Sequence, residues 1–306
     1  MTTAHKLKLS SPLRPVLNKK IRIIRTIVQF IMFGLFNGLI FGLSRVAIAI
    51  PVAFPTGGPF STTWNAFEAL QYMLSFMVFP YLIISIFVLF GSILGKTTCG
   101  WACPFGLFQD LFRYIPFKKK KVSRPTNQSL SKISTTIVVF VLIISFIIGS
   151  SYHRTGDKHA FGVGKDMPFS TIDPASTLFA TLYYYLKWGI SNNPLGDQIT
   201  SWRFLFIVRI LIFIVVLVLM ALYPRAYCRW LCPTGALLGF FSKYSLLGIR
   251  RNPNRCVSGC NKCEQACPMQ VPILSYEKDV TDKLCINCLE CVEACEEGAL
   301  KFTLRF

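Results

Sequence analysis

Four stretches of this chain run so long without a charged side chain that water cannot be their only surroundings. Thr26–Ser44 has none across 19 residues, Ala69–Gly95 none across 27, and Ile133–Tyr152 none across 20. Ile210–Pro224 adds 15, and with Arg209 tolerated the span Phe204–Tyr223 reaches 20. About 20 apolar residues cross a bilayer as a helix, because a helix satisfies its own backbone where water is absent. Four transmembrane helices are therefore expected. The chain is 53% hydrophobic and only 15% charged, where a soluble domain carries about a quarter charged residues. Helix one could be taken for a signal peptide, with Ala47-Ile48-Ala49 as its cleavage site. Its apolar core exceeds the usual signal length, so a retained anchor is expected.

The net charge of +19 invites a nucleic-acid reading, and its distribution argues against one. Residues 1–25 carry Lys6, Lys8, Arg14, Lys19, Lys20, Arg22 and Arg25 with no acid, and Lys96–Lys132 is equally basic. The first expected outer loop has only Arg45, and loop 153–202 balances Arg154, Lys158, Lys165 and Lys187 against Asp157, Asp166, Asp173 and Asp197. Basic residues flank the cytoplasmic ends of membrane helices. This predicts a multi-pass protein of the cytoplasmic (inner) membrane with both termini in the cytoplasm and no nucleic-acid partner. The Lys118–Lys121 run reads as a contact with anionic membrane lipid; docking of an acidic redox protein is the alternative.

Behind the apolar spans lie eight cysteines in two groups: Cys256, Cys260, Cys263, Cys267, and Cys285, Cys288, Cys291, Cys295. Three thiolates at this spacing wrap one face of an iron–sulfur cube, and the fourth cysteine of each run reaches the other cluster. Two [4Fe–4S] clusters are expected: cluster I on Cys256, Cys260, Cys263 and Cys295, cluster II on Cys285, Cys288, Cys291 and Cys267. A zinc site uses two C-x2-C pairs instead, and a disulfide framework needs an oxidising compartment. The segment resembles bacterial two-cluster ferredoxins over its last fifty residues. It departs from them at Cys256-x3-Cys260, one residue longer, and at Glu296, where proline usually follows the last cysteine.

The remaining four cysteines are duplicated. Cys99, Trp101, Cys103, Pro104 and Gly106 recur as Cys228, Trp230, Cys232, Pro233 and Gly235, each displaced by 129 residues. The membrane domain thus reads as two parallel helical hairpins, each ending inside in C-x3-C-P. Two pairs brought together supply four thiolates, the ligand set of a third [4Fe–4S] cluster or other metal centre. Separate metals, redox dithiols and buried thiols remain alternatives. The proline is expected to end a helix beside the metal, and the glycine to let backbone amides approach sulfur. Trp101 and Trp230 read as interfacial anchors.

The expected fold is an all-α membrane domain of four transmembrane helices plus a C-terminal α+β two-cluster ferredoxin-like domain. Its parts are a basic tail (1–25), the membrane domain (26–235), an amphipathic basic linker (236–255) and the ferredoxin-like domain (256–306). Aromatic stretches at Ser61–Tyr72 and Ser176–Trp188 are expected at the outer interface. On the twelve cysteines and the four spans, the chain resembles the NapH/MauN family of membrane ferredoxin-type proteins, related to the NosR and CcoG types. The resemblance covers roughly residues 20–306. It implies a quinol dehydrogenase component that draws electrons from quinol and passes them to an iron–sulfur or haem redox protein. A CcoG-like membrane reductase or assembly factor for metalloenzyme maturation is the alternative it leaves, and a structural anchor is a third.

Other candidates are weaker. None of His5, His153 and His159 lies inside a span, which counts against an axially ligated haem at membrane depth. His153 and His159, with Asp157 and Arg154, read as solvated loop polarity, with proton relay as the sharper alternative. Tyr183, Tyr184, Tyr185 and Lys187 would line a quinone pocket or form an aromatic belt. Arg209 either snorkels to headgroups or is a functional intramembrane charge.

Overall fold

A computed structural model describes residues 20–36, 49–53, 65–113, 119–156, 168–170, 172–182 and 199–305. Helix α1 spans Lys20–Phe36. The 27-residue apolar run after it is not one helix, which corrects the expectation of a single span there. It divides into α2, Ala66–Ser75, and α3, Tyr81–Ile93. Asn65 and Glu68 start α2 as a reciprocal capping box, which satisfies two otherwise orphaned backbone donors. Met77 then adopts φ +56, and Pro80 precedes α3 without an N–H to give, so the helix cannot run through.

Helix α2 runs away from the cysteine end and α3 returns to it. Its first end lies beside the C-x3-C-P segments, where Thr234 Oγ1 meets Asn65 Oδ1 at 3.1 Å. Its last turn reaches the far end of α6 (Arg124–Thr155), where any side chain on Gly149 would collide with the Leu74 carbonyl. Helix α3 returns to the cysteine end, with Leu246 N–H bonded to Ser92 O at 2.7 Å. The Ser61–Tyr72 stretch is therefore not interfacial over its described part. Phe67 and Gln71 are fully buried, and Gln71 Oε1 accepts from Phe169 N–H at 2.9 Å. The second half repeats the device: Asp173 caps α7, Pro174–Ser176, which continues as a wider-wound turn over Thr177–Leu182. Phe179 there packs on Phe33 and Phe105.

Helix α6, 32 residues, is the one helix among those described that is long and apolar enough to cross a membrane; it is about 48 Å long at 1.5 Å per residue. Small and polar residues, Asn127, Ser131, Ser134, Ser145 and Gly149, face inward, while Phe140 and Phe146 point out. Helix α8, Ile199–Leu222, likewise presents Ile207, Leu211 and Val218 outward. That inversion of the soluble pattern leaves a broad apolar belt.

The short helices α4 (Thr97–Trp101), α5 (Pro104–Phe112), α9 (Ala226–Trp230) and α10 (Pro233–Ser242) carry the two C-x3-C-P motifs. Residues 236–255 are not a free linker: they complete α10 and form β1, Leu247–Arg251. Strand β1 pairs antiparallel with β2, Leu300–Leu304, in the register Leu247↔Leu304 to Arg251↔Leu300. Helices α11 (Lys262–Ala266) and α12 (Glu290–Glu293) complete the ferredoxin segment. Its core (Ile249, Met269, Val271, Ile273, Val280, Ile286) is continuous with that of the helices.

The junction is closely fitted. Asn287 Nδ2 donates to Thr97 Oγ1 at 3.1 Å, and Lys96 Nζ to Lys283 O at 3.1 Å. A Cβ on Gly100 would collide with the Ile286 carbonyl. Gly100→Ala is therefore expected to cost about 1–3 kcal/mol through overpacking, read as a lower melting temperature and faster proteolytic release of the ferredoxin segment.

Candidate metal centres

Two cavities lie inside the ferredoxin segment. Cys256, Cys260, Cys263 and Cys295 line one, with Val257, Ile273 and Leu300. Cys267, Cys285, Cys288 and Cys291 line the other, with Ile249, Met269 and Ile286. The fourth cysteine of each run thus stands with the other run's triplet. The backbone N–H of Val271 points at Cys267 Sγ (3.4 Å) and that of Ala299 at Cys295 Sγ (3.3 Å), the same four-residue loop in both runs. Such amide donors favour thiolate over thiol.

A third cavity is lined by Cys99, Cys103, Cys228 and Cys232 together. Each motif is a one-turn helix, a break, and a new helix. Cys99 lies in α4 and Cys228 in α9, while Cys103 and Cys232 occupy the caps of α5 and α10. Pro104 and Pro233 therefore start the following helix rather than end the preceding one, a correction that follows from proline's tolerance in a first helical turn. Gly235 N–H approaches Cys232 Sγ at 3.4 Å, as expected, and Gln109 Nε2 lies 2.9 Å from Cys228 Sγ. All twelve cysteines are free of disulfides. No three His, Cys, Asp or Glu among the described residues converge closely enough for a single metal ion. A lone tetrahedral zinc needs sulfurs about 4 Å apart, whereas a cube of iron and sulfide holds its ligands at its corners, farther apart.

The tryptophans are not interfacial anchors. Trp101 Nε1 donates to Asn287 O at 3.0 Å, across the junction. Trp230 is buried, donates to Asn127 Oδ1 at 3.0 Å and carries the Arg229 guanidinium over its ring. Lys119 Nζ caps two helix ends, at Phe112 O and Ala221 O; Lys118 lies outside the described residues. So do His5, Asp157, His159, Tyr183, Tyr184, Tyr185 and Lys187, while His153 and Arg154 are exposed in the last turn of α6. Arg209 turns inward: its Nη2 donates to Ser170 O at 2.7 Å.

Between the third cavity and the ferredoxin segment lies a charge network absent from the sequence reading. Asp110 binds Arg225 through Nε (2.9 Å) and Nη2, and Arg25 Nη2 (3.0 Å). Glu290 accepts from Arg25 (2.7 Å), Arg22 (2.8 Å) and Arg113 (2.7 Å). Burial works to raise both carboxyl pKa values, but the arginines outweigh it. Asp110 is held well below the carboxylate range and Glu290 falls to about 2. Four guanidinium groups face two carboxylates, and Arg225 Nη1 and Arg25 Nε are buried without a partner. A buried cation needs an anion. Thiolate-bound iron–sulfur clusters are anionic, so the residues present fit such groups. Arg225 also adopts φ +51, a strained backbone for a side chain this large. One signal was readable: Lys96 and Arg225, three residues before Cys99 and Cys228, sit at the same displacement of 129.

Comparison with known proteins agrees with the repeat. A family model described as a 4Fe–4S binding domain matches residues 76–125 and again 205–253, and a 4Fe–4S dicluster domain matches 248–296. An uncharacterised protein of Methanocaldococcus jannaschii is 29% identical over 71% of this chain and 68% of its own. The ferredoxin-type protein NapH of Haemophilus influenzae is 26% identical over 72% and 67%. The putative electron transport protein YccM of Escherichia coli is 26% identical over 73% of this chain and 56% of its own. The chain is a relative of the NapH- and MauN-type ferredoxin proteins. No solved structure matches it. The chain carries matches to 4Fe–4S binding domains, and the structure arranges their cavities in series. Ile286 lines both the third cavity and that of Cys285, while Ile273 lines the latter and that of Cys256.

Proposed function

We propose that this chain is a membrane-embedded iron–sulfur electron carrier that works between the quinol pool and a soluble iron–sulfur or haem protein. The observation that carries the reading is the set of three cavities in series, each lined by four free cysteines. Cys256, Cys260, Cys263 and Cys295 would hold cluster I, and Cys285, Cys288, Cys291 and Cys267 cluster II. Cys99, Cys103, Cys228 and Cys232 would hold a third. Bound [4Fe–4S] clusters supply one-electron transfer, with potentials set by charge, amide donors and burial.

The chain's own residues do the rest. The apolar belt on α6 and α8 supports a membrane setting, with α1 and α3 beside it; the basic residues mark its cytoplasmic side. Ile286 and Ile273 each line two neighbouring cavities and make the wall between them apolar. Arg25 and Arg225 place positive charge beside Cys288 and Cys228, which favours an added electron there. Quinol is the lipid-soluble donor whose chemistry fits a cavity that opens at the end of apolar helices.

Iron and acid-labile sulfide per chain, measured on anaerobically purified protein, test the reading. About twelve irons are expected for three cubes. About eight would remove the third cluster, and bound zinc in place of iron would sink the proposal.

A further inference from the structure

The cavity of the four repeat cysteines has another wall. Glu68 and Asp173 line it too, and both are buried, at 2% and 0% exposure. They come from the starts of α2 and α7, separated by 105 residues of sequence. Each has a local use. Glu68 Oε2 accepts from Asn65 N–H (3.1 Å), and Asp173 Oδ2 from Ser176 N–H (3.0 Å), while Tyr227 OH donates to Asp173 Oδ1. Capping explains one carboxyl at each helix start. It does not explain two buried carboxyls near enough to repel each other at the edge of a cavity.

Both carboxyls are buried, and the charge of Asp173 acts against that of Glu68. The cations that face them are Arg209 from α8, which acts on both, and Lys96, which lines the same cavity. Two buried carboxyls sharing one site do not both ionise readily, so the pair holds a proton that it can exchange. Val52, Phe105 and Phe179 make the remaining wall apolar. The cavity therefore offers three things together: proton-exchanging oxygens, thiols suited to a redox centre, and an apolar bed for a ring. A buried ionisable pair inside a membrane domain marks a functional site.

We propose that Glu68 and Asp173 form the proton-exchanging side of a hydroquinone headgroup site within this cavity. The inference rests on the quinol reading above and names its site. In each half-oxidation one O–H bond of the hydroquinone breaks. The proton goes to whichever carboxylate of the pair is ionised, and the electron would pass to the iron–sulfur cluster that Cys99, Cys103, Cys228 and Cys232 would hold. The pair hands that proton on before the second O–H bond breaks. In the opposite direction the same oxygens return protons to the quinone.

Glu68→Gln and Asp173→Asn separate this role from capping, because glutamine serves a capping box and asparagine caps a helix. The probes are duroquinol, with stopped-flow bleaching of the iron–sulfur absorbance in the anaerobic holoprotein, and heptylhydroxyquinoline N-oxide, whose fluorescence is quenched on binding. Each variant is expected to keep the parent's iron content and full reduction by dithionite. Each should be reduced by duroquinol at least about 100-fold more slowly, the scale of a lost acid–base group. Binding of the quinoline oxide should weaken at least about tenfold. Variants that match the parent in rate and binding overturn the site while the quinol reading stands. A parent that duroquinol does not reduce overturns both. Variants that lose iron assign the carboxyls to holding the centre and overturn the proposal.

Discussion

Asp110→Ala is expected to open the junction between the helices and the ferredoxin segment. Asp110 is 4% exposed and is the carboxylate on which Arg25 and Arg225 converge, with Gln29 Nε2 a further 3.4 Å away. Breaking a buried ion pair by removing one partner costs about 3–5 kcal/mol, because the remaining charge is stranded. Here Arg225 loses its carboxylate and Arg25 loses one of its two, keeping only Glu290. Whole-domain stability is only about 5–15 kcal/mol, so the loss is of the same order as the total. The expected reading is a large fall in melting temperature, with protease release of a fragment beginning near Leu246. Asp110→Asn combined with Arg225→Gln removes one charge of each sign and should recover most of that loss. A melting temperature unmoved by Asp110→Ala would show that the network does not hold the junction.

The same network sets an acid limit. The folded pKa of Glu290 is about 2 against its ordinary 4.5. A depressed carboxylate stabilises the fold fully above its unfolded pKa and ceases to do so as pH falls through the folded one. Docking of the ferredoxin segment, read by protease access, should hold down to about pH 4.5 and weaken from there toward pH 2. Loss of docking on the alkaline side, with stability at pH 4, would contradict the assignment.

What the sequence disclosed and what it hid divide along a physical line. Cysteine ligands are local patterns: three thiolates within one or two turns must face one centre, so the spacing around Cys256 and Cys285 speaks for itself. The duplication spoke as clearly, since an exact displacement of 129 from Cys99 to Cys228 leaves little room for chance. Apolar composition said much less about path. Ala69–Gly95 is uniformly apolar, and composition does not register the reversal at Phe76–Pro80. The Asn65–Glu68 capping box and Pro80 were its readable marks. Arg25 looked like one more basic tail residue and Asp173 like loop balance, because their partners are far along the chain. Arg25 meets Glu290 across 265 residues. Trp101 and Trp230 failed for the same reason: an indole at the end of an apolar run looks like a lipid anchor until Asn287 and Asn127 come into reach. Strand β1 was hidden because half of its sheet is the chain's last strand.

Cys99→Ser together with Cys232→Ser takes one thiolate from each half of the repeat and leaves Cys103 and Cys228. Two thiolates cannot hold a cube, so iron should fall from about twelve to about eight per chain. Serine is near in size, and its oxygen still accepts the Gly235 N–H that now reaches Cys232 Sγ, so the fold should survive with an ordinary melting profile. The eight ferredoxin cysteines are untouched, and dithionite should still reduce their clusters completely. Duroquinol should not. The third cavity shares Ile286 with the Cys285 cavity. A double variant that keeps all its iron removes the third cluster. One that loses four irons yet is still reduced by quinol at the parent rate shows that electrons enter elsewhere, and the order of the three cavities would then carry no meaning for their flow.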